Sequence, residues 1–182
     1  MLVEFALIAP FLFLMLFGII EFGLTLNDYQ SLRQSVREGA REGVVGDYGD
    51  TTSCGLNGSA ATLTGTGATN TQMLMCTVKE RAGLGNELRV AVKVVDSTTS
   101  PPATVTVFPN PTGTPPVAKS AYANYKVRVC AAKPATSLTG LIAPFLNYVK
   151  LRSEIEMRLE RDTVELRTSQ ENDPSGANWS WC

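Results

Sequence analysis

The chain has 182 residues, 44% of them hydrophobic, and a net charge of −1 from 16 basic and 17 acidic side chains. That composition supports one ordinary core with an accessory element, and it carries neither the basic field that draws nucleic acid nor an acidic solvating tail. Histidine is absent, which excludes serine–histidine and cysteine–histidine catalysis. The four cysteines, Cys54, Cys76, Cys130 and Cys182, are too widely spaced for paired metal-ligand motifs and read as disulfides of an oxidising compartment, with three possible pairings.

The first predicted element is a long helix. Phe5 to Ile20 carries no charge and is bracketed by Glu4 and Glu21, and Phe5 to Leu26 is apolar apart from Glu21 and Thr25. Those positions span about 33 Å as a helix, enough to cross a bilayer. A cleavable signal peptide calls for a basic leader, a shorter apolar run and a small-residue cleavage site, and the segment matches none of these. Beyond Leu26 the helical spacing continues through Tyr29, Leu32, Val36 and Ala40, with Arg33, Arg37 and Arg41 on the neighbouring stripe. The helix is expected to end near Gly43, with Gly46, Asp47 and Gly49 as breakers, after roughly 60 Å. Pro10 predicts a kink or loosening near Ala6. The arginines after the span would place the body in the cytoplasm by the positive-inside rule, whereas disulfides require the opposite side; a basic leader removed beforehand would reconcile the two.

Leu2-Val3-Glu4-Phe5-Ala6-Leu7, Pro10, the apolar run and Gly18-Ile19-Ile20-Glu21-Phe22-Gly23 resemble the N-terminus of TadE-like proteins, the pseudopilin or minor-pilin class of tight-adherence (Flp, type IVb) pili. The resemblance implies a leader removed after a glycine by a prepilin peptidase. It also implies an acid near the new N-terminus that engages a neighbour's free amine during assembly, with Glu4 in the matching position. The chain has no leader glycine and begins one residue short of the usual spacing, as a processed form or a shortened start would. Physical chemistry alone leaves two readings of Glu4. At a helix N-terminus a carboxylate gains about 0.3–1 kcal/mol from the macrodipole, and held among packed apolar helices it needs a cation. Glu21 reads either as an interface residue that snorkels to water or as a second contact between subunits.

The second half reads as a disulfide-bonded sheet domain over residues 46–182, following the assembly helix of residues 1–45. Thr51 to Thr71 is Gly, Ser, Thr, Ala and Asn-rich and is expected to be a surface loop. A helix from about Thr71 to Ala82 puts Leu74, Val78 and Ala82 on one face and Cys76 on the other, so Cys54–Cys76 is the preferred pair, closing a loop worth around 3 kcal/mol. Strict alternation follows: Leu88, Val90, Val92 and Val94 against Arg89, Ala91 and Lys93, then Val105 and Val107 against Thr104 and Thr106, with a hairpin at Ser100-Pro101-Pro102. Pro109 to Pro116 is a connection. A strand over Ala123 to Ala131 turns Tyr125, Val127 and Val129 inward and Lys126, Arg128 and Cys130 outward. A short apolar helix is expected over Leu138 to Leu146. The last long strand, Val149 to Glu160, alternates Val149, Leu151, Ile155, Met157 and Leu159 with charged residues. The expectation is an α+β fold: an antiparallel sheet with one buried and one solvated face, covered by the Tyr29–Val36 stripe of the long helix. The order of helix, loop and strands also looks like TadE-like proteins. The tail, ending in Trp179, Trp181 and Cys182, is expected to be stapled to Cys130.

Other motifs read as background. Glu154, Glu156 and Glu160 interleave with Lys150, Arg152 and Arg158 as a solvated face. Asn57-Gly58-Ser59 and Asn178-Trp179-Ser180 match the glycosylation acceptor pattern, a short and common one, and Gly65-Thr66-Gly67 lacks the strand and helix of a phosphate loop. Met73, Met75 and Tyr125 are core candidates. No cofactor, metal or enzymatic constellation is expected. The leading reading is a structural pilin that inserts in the inner membrane and assembles through Glu4, Phe5, Pro10 and Glu21 into a helical filament with copies of itself and other pilins. Prepilin peptidase and the assembly machinery would process it, and adhesion at the cell surface would be its role. The alternative is a membrane-anchored extracytoplasmic binding module that does not polymerise.

Overall fold

A single helix sets the layout. In the computed structural model, which describes residues 2–50, 54–108, 124–138, 140, 143–146, 148–160, 164–173 and 179–182, α1 runs without interruption over Leu2–Val45, about 66 Å at helical rise. Pro10 lies inside it. The loosening expected near Ala6 does not end the helix, because one lost backbone bond leaves its neighbours' bonds intact. The expected end near Gly43 moves two residues on.

The remaining elements follow in order: α2 (Ala68–Ala82), β1 (Arg89–Asp96), β2 (Ala103–Val105), β3 (Val107–Phe108), β4 (Tyr125–Pro134), α3 (Ala143–Leu146), β5 (Lys150–Arg158), β6 (Leu166–Arg167) and β7 (Ser169–Gln170). The main sheet is antiparallel in the order β2-β1-β4-β5, with β7 also paired to β1, while β3 and β6 form a separate ribbon. Cross-strand neighbours are apolar on the face toward α1: Val92 opposes Val129, Val94 opposes Val127, and these oppose Ile155 and Met157 in turn. The fold is thus the expected α+β layout, a long apolar helix with an antiparallel sheet.

The C-terminal half of α1 is part of the core. Leu32, Val36, Ala40 and Val44 are buried along one row four residues apart, and Leu74, Met75 and Val78 of α2 with Leu88, Val90, Val92, Val127 and Val129 of the sheet join them. The covering stripe is the expected one at Leu32, Val36 and Ala40 and departs from it at Tyr29. A row spaced by four runs through Asp28 and misses Tyr29, which stays exposed with the Arg33 guanidinium 5.8 Å from its ring centre. An adjacent row of small residues admits α2 closely. A Cβ on Gly39 would lie 2.2 Å from Val78 Cγ2, and one on Gly43 would lie 3.0 Å from Leu74 Cδ2.

Several expectations need correction. Helix α2 begins three residues earlier than Thr71, after Gly67 in the left-handed region at φ 73°. The low-complexity segment before it is a surface loop, as expected, and is pinned: Ala60 is buried, Ser59 Oγ donates to the Gln170 carbonyl at 2.7 Å and Gln72 Nε2 donates to the Ala60 carbonyl at 3.0 Å. The strand expected around Val105 and Val107 divides at Thr106 into β2 and β3, because its second part leaves β1 to pair with β6. Of the helix expected over Leu138–Leu146, the described residues form the single turn α3, and 139, 141 and 142 lie outside them. The outer sheet face is not solvated throughout, since Ala91, Cys130 and Ala132 are covered by Trp179 and Cys182. The Pro109–Pro116 connection, Ala123, and Asn178 of the second glycosylation pattern lie outside the described residues.

Candidate functional site

Two disulfides tie the folded part together: Cys54 is bonded to Cys76 and Cys130 to Cys182. The second staples the tail, where Lys93 Nζ donates to the Trp179 carbonyl at 3.1 Å, Arg128 Nη1 donates to a main-chain oxygen of Cys182 at 2.6 Å, and Arg152 lies 5.1 Å from the Trp181 ring centre. Beneath the tail is a buried ionic node that the sequence pattern did not announce. Glu171 accepts from Lys79 Nζ at 2.9 Å, from the Val90 N–H at 2.8 Å and from the Asn57 N–H at 3.3 Å. Trp179 Nε1 donates to the Glu171 carbonyl at 2.7 Å. These contacts join loop, helix, strand and tail, and an acid so placed is tolerated because its oxygens are met. They hold the fold together.

The charged face of β5 behaves likewise. Glu156 accepts from Lys126 at 2.7 Å and from Arg128 at 2.6 Å; the hydrogen bond from Lys126, then those from Arg128, hold its carboxyl below the usual value against the opposing effect of burial. Among the described residues, no cluster of three or more His, Cys, Asp or Glu is placed to hold a metal.

What distinguishes the molecule is the N-terminal half of α1. Phe5, Leu7, Phe11, Leu14 and Ile19 are all exposed, Leu7 at 78%, and the most apolar 18-residue window reaches a mean hydropathy of 2.5 with none of it buried. The helix is long and apolar enough to cross a membrane. Glu4 and Pro10 are exposed on this stem, and Phe13 and Phe17 stack at 6.5 Å. Gly18 and Gly23 face open space.

Glu21 lies where the bare stem meets the folded domain. It is only 3% exposed, and Ser137 Oγ reaches its two carboxylate oxygens at 2.8 and 3.0 Å. Two helical turns further on, Lys133 Nζ lies 2.6 Å from Asp28. Glu21 thus faces its own sheet domain. Four candidate assembly residues therefore separate into Glu4, Phe5 and Pro10 on the bare stem and Glu21 at its junction with the domain. Ser137, Lys133 and Asp28 were not singled out in the sequence; the available signal was the charge-free run after β4, which carries no acid or base between Leu138 and Val149.

A bare apolar stem thus continues without a break into a packed helix. Residues 1–41 match the family model described as TadE-like protein. The first helix is thus similar to that of TadE-like proteins. That family is structural and Tad pilus-associated. The match ends inside α1, so the TadE-like segment covers the stem and most of the packed half while the sheet domain lies beyond it. No curated protein and no solved structure matches the chain.

Proposed function

We propose that the chain is a pilin-like subunit of a Tad-type (Flp, type IVb) pilus, anchored in the membrane by α1 before assembly and packed through the stem of that helix into a filament coated by the sheet domain. The observation that carries this reading is the TadE-like stem, apolar on every side and projecting from a folded domain. A helix apolar all round requires lipid or other helices as its surroundings, and a head-to-tail contact that does not close on itself propagates a fibre. Gly18 and Gly23 offer positions where a neighbouring helix can approach closely.

In this reading Glu4, Phe5 and Pro10 form the assembly end. Glu4, exposed in the single chain, loses water when stems pack, and a neighbour's α-amino group supplies the cation that a buried carboxylate requires. Prepilin peptidase and the pilus assembly machinery are the expected partners, and the assembled filament lies outside the cell. Glu4→Ala, expressed in cells that otherwise lack the chain, is expected to abolish surface filaments in electron micrographs while membrane insertion and both disulfides persist. Filaments at normal abundance with this variant would favour a non-polymerising membrane-anchored module instead.

A further inference from the structure

Among the described residues of the sheet domain, strongly exposed large apolar side chains are confined to one place. Among the described residues outside α1, the large hydrophobics left exposed are Leu138 (74%), Tyr148 (87%) and Val149 (42%), all at the two ends of one connection between β4 and β5. The path of β4 fixes the level of that connection. Val127 lies beside Gly43, with its Cγ1 3.5 Å from where a Gly43 Cβ would stand; Lys133 meets Asp28; and Ser137 meets Glu21. The chain therefore descends along α1 toward the bare stem and reaches its start at Leu138. Leu24, Thr25, Ala135 and Leu138 line a cleft of about 250 Å³ between the two.

We propose that this apolar edge is a second membrane contact, in which Leu138, Tyr148 and Val149 enter the interfacial layer of the bilayer beside the point where α1 emerges. The proposal rests on α1 crossing the bilayer and is independent of filament formation. Val3 to Glu21 extends for about 27 Å as a helix, close to the roughly 30 Å of a hydrocarbon core. Glu21 then falls at the boundary, and Leu138 follows directly after the serine that holds Glu21. Continuity with the spanning surface identifies lipid as the occupant. Tyrosine with a neighbouring lysine, here Tyr148 and Lys150, is the pairing that settles at the depth of the headgroups. The arrangement also accounts for Glu21: at the edge of the hydrocarbon its carboxylate is turned from lipid and hydrogen-bonded by Ser137.

The test uses the full chain in vesicles of phosphatidylcholine and phosphatidylglycerol at high lipid-to-protein ratio. A genetically encoded environment-sensitive fluorescent residue replaces, one at a time, Phe13, Leu138, Tyr148 or Thr98, the last at the far end of the sheet next to Asp96. Lipids brominated at graded depth serve as quenchers. The label at 13 is expected to lose most of its emission to deep bromines, the labels at 138 and 148 to shallow bromines, and the label at 98 to neither. Leu138→Asp is expected to remove the shallow quenching at 148 and leave that at 13 unchanged. Quenching at 13 with none at 138 and 148 overturns the proposal while the spanning helix stands. No quenching at 13 overturns the spanning reading and this proposal with it. Emission at 138 or 148 that responds to protein density and not to bromolipid makes a second copy the occupant and overturns the proposal as well.

Discussion

The two halves of α1 are one helix with two environments. From Phe5 to Ile20 every turn is apolar on all sides and uncovered, whereas from Leu32 to Val44 apolar residues occupy a row spaced by four and that row is buried against α2 and the sheet. Backbone geometry is shared, so the difference lies in side-chain pattern alone. A stripe specifies one partner surface, supplied by the same chain; an all-round apolar surface specifies an apolar solvent or many partners. The N-terminal half gains no stability from the sheet domain, and the C-terminal half cannot be separated from it.

The comparison is tested most strongly at the tail. Replacing Cys130 and Cys182 together by serine is expected to lower domain stability by about 4 kcal/mol in the chain-entropy account, since the bond closes a separation of 52 residues. Chemical denaturation would record the loss, and circular dichroism in detergent should find the helicity of the stem retained. Equal loss from both halves would break the distinction. Next in size is a matched pair of truncations. Leu32→Ala is expected to cost about 3 kcal/mol by opening a cavity in the core, and Leu12→Ala in the stem should leave the unfolding midpoint of the domain unchanged. Gly39→Ala sharpens the contrast further: a methyl 2.2 Å from Val78 Cγ2 should destabilise by roughly 1–2 kcal/mol through overpacking, even though alanine is the better helix former. Gly18→Ala, with open space around it, should not.

The smallest effect is a pH response confined to the folded half. The Glu156 carboxyl is held below its ordinary value of 4.5, so its contribution is present above that value and is lost as pH falls through the lower folded-state value. Glu42 behaves oppositely. Burial, outweighing Arg81, raises its carboxyl, so it weakens the fold as pH rises from 4.5 toward that raised value. Glu156→Gln is expected to flatten the acid loss in a thermal-unfolding series and Glu42→Gln to stabilise slightly at neutral pH, each by less than about 1 kcal/mol. The same series should leave stem helicity unmoved.

Legibility in the sequence followed the reach of each interaction. Strands β1, β4 and β5 were readable because alternation is local and repeats every two residues, and the side of α2 carrying Cys76 followed from helical angle. Strands β6 and β7 were not, because two-residue strands have no period and exist through pairing with β3 and β1. The partnership of Glu171 with Lys79 joins residues 92 positions apart, and nothing in either neighbourhood announces it. At the candidate site, the apolar stem and Glu4 stood out by composition. The turning of Glu21 toward Ser137 depended on where β4 delivers the chain, a tertiary fact that Glu21's own flanks do not encode. Tyr29 was misassigned to the covered face because spacings of three and four are equally helical until a partner selects one row.

The unbroken run of α1 from Leu2 to Val45 has a mechanical consequence. With no hinge between the two environments, and with latches at Glu21–Ser137 and Asp28–Lys133, a twist or tilt imposed on the lower end is transmitted as by a lever arm. A small angular change of the stem becomes a large sideways displacement at the Thr98 hairpin.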